Sequence, residues 1–182
     1  LVTLAARLGA PWKIVSFSRF GSMLIVLYAV STLYHSIRET RAKSVLRRLD
    51  HCAIYLLIAA TYTPFIMALK ESYLAIALLI GVWCAAIGGV VLKLALPGRY
   101  DRLAVGLYLA LGWSGVMLYD AVVKAVPPLS LSLVVAGGVL YSLGVIFHAW
   151  QRLRFQNAIW HGFVLLGAAC HYTAILDLII LT

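Results

Sequence analysis

Long apolar runs recur along this chain, each close to the length of about 20 residues that a helix needs to cross a hydrocarbon layer. Only short polar breaks separate them. Pro11-Trp12-Lys13 ends an apolar opening stub, Leu1-Val2-Thr3-Leu4-Ala5-Ala6 and onward. A run then goes from Ile14 to Ile37, followed by a basic loop from Arg38 to Arg48. The next covers Leu49 to Leu69 and closes on Lys70-Glu71-Ser72. Another covers Tyr73 to Leu96 before Pro97-Gly98-Arg99-Tyr100-Asp101-Arg102. A further run goes from Leu103 to Ala125 and stops at Pro127-Pro128. The last two cover Leu129 to Trp150 and Gln156 to Leu181, joined by Gln151-Arg152-Leu153-Arg154.

Such a chain cannot bury itself in water. Of its 182 residues 64% are hydrophobic and 12% charged, against about half and about a quarter in soluble domains. The expected fold is all-α: a polytopic bundle of seven transmembrane helices, forming a single integral membrane domain over residues 1–182. The stub is too short to span, so it reads as the end of a first helix whose start is missing. No soluble domain, long linker or cleavable signal pattern is visible.

The net charge of +9 would suggest nucleic acid in a soluble protein. Here the bases sit in short loops, where they set topology beside anionic headgroups. Arg38, Arg41, Lys43, Arg47 and Arg48 share one loop. Lys93, Arg99 and Arg102 flank a second, and Arg152 and Arg154 a third. These loops alternate along the chain and so share one side, while the other side offers Lys13, Lys70 and Lys124. Positive-inside bias puts the rich side in the cytoplasm of a cell inner (plasma) membrane. With seven helices, the N-terminus is cytoplasmic. Cys52, Cys84 and Cys170 lie in apolar runs without CxxC spacing and read as buried, reduced and inert. Gly88-Gly89, Gly106, Gly112 and Gly137-Gly138 read as sites of close helix packing.

Ionisable groups inside a span are costly and are functional candidates by default. Ser31 and His35 are four apart and share a helix face near a cytoplasmic end. Asp50 begins the next run. Asn157 and His161, again four apart, begin the last. Three helices remote in sequence thus place His, Asp and His at similar depth. An i, i+4 pair of ligand-capable side chains plus a histidine from another helix suits a tetrahedral metal with one open position, and a carboxylate nearby suits its water. Each residue also has an ordinary role. Either histidine is satisfied by a backbone carbonyl, Asp50 by capping its helix or pairing with Arg47 or Arg48, and Asn157 by capping. His51 points away from Asp50 and reads as interfacial. His148 has a suitable depth but no patterned partner. His171 reads as a packing or hydrogen-bonding residue, and Arg19, Asp120 and Asp177 fall towards outer ends.

Ser31-Thr32-Leu33-Tyr34-His35, Arg48-Leu49-Asp50-His51 and Asn157-Ala158-Ile159-Trp160-His161-Gly162-Phe163-Val164 together resemble the hemolysin III proteins. These are the bacterial branch of the progestin and adipoQ receptor family, related to alkaline ceramidases. The resemblance runs along nearly the whole chain. It implies a seven-helix bundle with zinc near the cytoplasmic face. His35 and His161 match two zinc ligands, Asp50 the acid that holds the metal's water, and Ser31 the motif serine. Asn157 stands where the family pattern has a third histidine, and an amide oxygen is a weaker zinc ligand than imidazole. Asp50 or His148 could then complete the set.

Two functions follow as expectations. One is a zinc-dependent hydrolase of lipid amides or esters, with Asp50 as general base and Ser31 at the oxyanion. The other is non-catalytic: a membrane-homeostasis, receptor-like or cytolytic protein. Membrane lipids are the expected partners in both. A transporter would need broken helices or charges near the midplane, and no convincing pair of them is visible.

Overall fold

The structure is a computed structural model. It describes residues 11–38, 41–69, 72–96 and 101–181, together with Thr3 and Ala6; of Asp101 and Arg102 only the backbone is described. The opening stub apart from Thr3 and Ala6, Lys70-Glu71 and the Pro97–Tyr100 stretch therefore lie outside the described residues.

Among the described residues the regular structure is all helix. In chain order the elements are α1 (Pro11–Ser36), α2 (Arg41–Ala68), α3 (Tyr73–Ala95), α4 (Asp101–Trp113), a 3₁₀ turn (Ser114–Leu118), α5 (Tyr119–Ala125), α6 (Pro128–Ala149) and α7 (Gln156–Leu181). Among the described residues, six segments are long and apolar enough to cross a membrane: Pro11–Ser36, Arg41–Ala68, Tyr73–Ala95, Leu103–Ala125, Pro128–Ala149 and Gln156–Leu181.

Boundaries moved where hydropathy and helicity part company. Pro11, expected to end the stub, lies in α1. The basic stretch Arg41–Arg48, expected as loop, forms the first turns of α2. Arg, Lys, Ala and Leu are good helix formers, so the helix continues beyond the apolar run. Ser72 caps α3 by accepting the Ala75 N–H at 3.2 Å. The segment Leu103–Ala125 is not one α-helix, because the 3₁₀ turn interrupts it.

The chain forms two compact units, residues 1–115 and 116–182. In the first, α2 packs against α1 and α3, and α4 packs on α2 and α3. Its core joins Tyr55 and Ala59 of α2, Val82 and Ala86 of α3, and Ala104 of α4. Gly89 lets α3 approach: a Cβ there would lie 2.5 Å from the Tyr55 ring. The Trp83 indole N–H donates to the Thr63 hydroxyl at 3.2 Å, and that hydroxyl donates to the Ala59 carbonyl at 3.0 Å. Lys13 is buried in the first turn of α1, with its ammonium 5.7 Å from the Trp12 ring centre.

In the second unit α6 and α7 form a hairpin with regular antiparallel register. Ser130 meets Ala174 and Asp177, His171 meets the Val134 carbonyl, and Gly137 faces Gly167. A Cβ at Gly137 would lie 3.1 Å from the Gly167 carbonyl, so the two backbones touch. Gly144 lies against Phe163 and Trp160, and Phe147 stacks on Phe163 at 5.1 Å. Not every glycine works this way. Gly88, Gly106 and Gly112 have nothing within 4 Å of a built Cβ, which corrects their expected packing role. The cysteines divide too: all three are free, but only Cys52 is buried, Cys84 is exposed and Cys170 is intermediate. Cys84 faces outward from α3, as an apolar thiol is free to do where the surroundings are lipid.

Candidate functional site

His35 sits in the last turn of α1. Its Nδ1 lies 2.9 Å from the Ser31 carbonyl, one helical turn back, and the ring meets the edge of Tyr34 at 4.6 Å. Lys43 of α2 places its ammonium 5.7 Å from the Tyr34 ring centre. His161, in the second turn of α7, repeats the arrangement: its Nδ1 lies 2.6 Å from the Asn157 carbonyl. A carbonyl only accepts, so Nδ1–H is the donor in each contact, and in a neutral ring Nε2 carries the lone pair.

The i, i+4 pairs read from the sequence are therefore real contacts, but made through the backbone of the first residue. Ser31 and Asn157 contribute carbonyls to the histidines. The ordinary reading of each histidine, satisfied by a backbone carbonyl, holds, and it is compatible with ligation. A ligand imidazole needs its other N–H held in this way.

Asp50 is half-buried in the third turn of α2. With α2 starting at Arg41, Asp50 lies well inside the helix, so helix capping is ruled out as its role. His35 and Asp50 belong to the first unit, Asn157 and His161 to the second. Among the described residues, no three His, Cys, Asp or Glu side chains gather as a metal-holding group.

The start of α7 is set by its loop. Phe155 adopts a left-handed φ of 61°, unusual for a bulky residue. Gln156 then donates from its side-chain amide to the His148 carbonyl at 2.7 Å, tying the end of α6 to the start of α7. The His148 ring packs on Trp160 at 5.0 Å. His171 is a packing and hydrogen-bonding residue as expected, 3.3 Å from the Val134 carbonyl and 5.4 Å from the Tyr141 ring.

Two polar nodes were missed in the sequence. The Tyr108 hydroxyl donates to the His51 carbonyl at 3.0 Å, next to Asp50. The Tyr62 hydroxyl engages the broken segment at 111–115. A tyrosine in the middle of an apolar run was the available signal, since its hydroxyl needs a partner in lipid.

Residues 1–172 match the family model described as Haemolysin-III related. The chain is 41% identical over 176 residues to "Hemolysin-3 homolog" of Bacillus subtilis (strain 168), covering 97% of this chain and 83% of that protein. It is 31% identical over 172 residues to the human "Monocyte to macrophage differentiation factor", covering 90% and 70%. It is 27% identical over 178 residues to "Heptahelical transmembrane protein ADIPOR2" of Oryza sativa subsp. japonica, covering 85% and 77%. With membrane-length helices along its described residues and these likenesses, the chain belongs to the haemolysin-III-related family, multi-pass membrane proteins of the progestin and adipoQ receptor superfamily.

Proposed function

We propose that this protein is a membrane-embedded hydrolase of lipid amides or esters that holds zinc through His35 and His161. The observation that supports this reading is the common support of the two rings. Each Nδ1 lies within hydrogen-bond reach of the carbonyl four residues back, at 2.9 and 2.6 Å, the support a ligand imidazole needs. Two imidazoles held this way, with the Asn157 amide oxygen as a weaker third donor, are groups zinc accepts with one position open. When bound, zinc would supply a Lewis acid that polarises a carbonyl and ionises water near neutral pH.

The chain's own residues supply the rest. Asp50 takes the proton of the attacking water as general base. Ser31 donates its hydroxyl to the oxyanion that develops on the substrate. The acyl chains of the substrate stay in the bilayer and enter sideways. We place the base-rich side of the chain, with Arg41, Lys43, Arg47, Arg48, Arg152 and Arg154, on the cytoplasmic side of the plasma membrane. That orientation, in a seven-helix bundle forming one domain, makes the N-terminus cytoplasmic. The name of the rice relative, heptahelical, supports the count.

One observation favours a second, non-catalytic reading. Asn157 stands where the family pattern has histidine, which weakens the hold on metal. A loosely held metal suits a receptor-like, membrane-homeostasis or cytolytic protein, the last in keeping with the Bacillus relative's name.

Lipid vesicles carrying the purified protein and long-chain amide or ester lipids separate the two. Wild type is expected to release fatty acid. Asp50→Asn is expected to lose at least about 100-fold of that rate, the scale of general-base catalysis, while keeping its metal content. A metal-loaded wild type that releases no fatty acid would sink the hydrolase and leave the non-catalytic reading.

A further inference from the structure

The Tyr62 hydroxyl stands inside the hydrogen-bond ladder of the Leu103–Ala125 segment. In a continuous α-helix the Gly115 N–H would donate to the Leu111 carbonyl. Here it donates to the Tyr62 hydroxyl at 2.7 Å. That hydroxyl lies 2.9 Å from the Leu111 carbonyl and 2.8 Å from the Gly112 carbonyl. A phenol has one proton to give, so it serves one of these carbonyls at a time. Ser114 makes up the difference, its hydroxyl 2.7 Å from the Leu111 carbonyl and 3.1 Å from the Tyr62 oxygen. From Ser114 to Leu118 the chain is wound as 3₁₀. The fit depends on the bare backbone of Gly115, where a Cβ would lie 3.1 Å from the Tyr62 oxygen and 3.2 Å from its ring.

Lipid offers no water to a broken ladder. A 3₁₀ stretch in mid-span persists only where protein groups take over the lost pairing, and a side chain inserted into the ladder is a known cause of such breaks. Stretches of this kind often mark hinges.

We propose that Tyr62 is a latch. Its hydroxyl holds the segment broken at Ser114–Leu118, and its withdrawal lets the segment close into continuous α-helix with Gly115 paired to Leu111. The two forms differ measurably. Over these five residues the 3₁₀ form is about 2.5 Å longer and winds about 100° further than α-helix.

Solid-state NMR of the full chain in lipid bilayers, with backbone labels over residues 111–118, reads the two forms directly. Wild type is expected to show 3₁₀ shifts from Ser114 to Leu118 and a contact between the Gly115 amide proton and the Tyr62 ring. Tyr62→Phe is expected to move these shifts to α values. Tyr108→Phe removes a hydroxyl that bonds elsewhere, to the His51 carbonyl, and is expected to leave the break in place. Persistence of 3₁₀ shifts in Tyr62→Phe, or α shifts in wild type, overturns the latch. Gly115→Ala is a second arm that keeps the phenol. Its Cβ would meet the Tyr62 oxygen and ring at 3.1 and 3.2 Å, closer than ordinary contact, and is expected to lengthen the Gly115–Tyr62 contact and move the shifts towards α values; shifts identical to wild type overturn the proposal as well.

Discussion

His161 is oriented by a carbonyl, so its ring position does not depend on which side chain stands at 157. The same holds for His35 and Ser31. Asn157 thus has two separable parts, a carbonyl that orients the neighbouring imidazole and a side-chain amide that can offer a donor of its own. Asn157→Ala keeps the carbonyl and therefore the ring, but removes the amide oxygen. Asn157→His adds an imidazole, a better zinc donor than an amide. Zinc affinity, measured by competition with a chelator, is expected to rise at least about tenfold in Asn157→His, worth about 1.4 kcal/mol. An unchanged affinity would show that position 157 lies away from the metal. The i, i+4 spacing made these residues legible as pairs. The backbone route of the contact was not, because every residue type carries a carbonyl and none advertises it in sequence.

The helices were legible where apolar length decides the matter, and α6 and α7 fall within a residue of their expected bounds. They were not legible where composition marks the bilayer edge while the helix runs on, as at Arg41–Arg48. Nor could hydropathy reveal the 3₁₀ turn at Ser114–Leu118, whose cause is a tyrosine about 50 residues away (the hydrogen bond to Gly112 spans 50). Glycines posed a similar limit. Gly88 and Gly89 are neighbours in sequence, yet only Gly89 faces the Tyr55 ring. A Cβ at 89 would lie 2.5 to 2.7 Å from three atoms of a fully buried ring. Gly89→Ala is therefore expected to destabilise the protein by about 1–3 kcal/mol, the range for overpacking. Gly88→Ala meets open space and is expected to be neutral or to stabilise by up to about 1 kcal/mol through helix propensity. Unfolding of both variants in detergent checks the pair, and equal effects would contradict the α2–α3 packing described.

For the molecule as a whole, membrane residence follows from six membrane-length helices among the described residues and from the family. The proposed metal rests on His35 and His161, so its loss should register in stability as well as in composition. Metal analysis of the purified protein, repeated with His35→Ala and His161→Ala, tests this most directly. The account predicts about one zinc per wild-type chain, lost or strongly reduced in each variant, with thermal stability lowered to that of chelator-treated wild type. Stoichiometric zinc that survives both substitutions would contradict it.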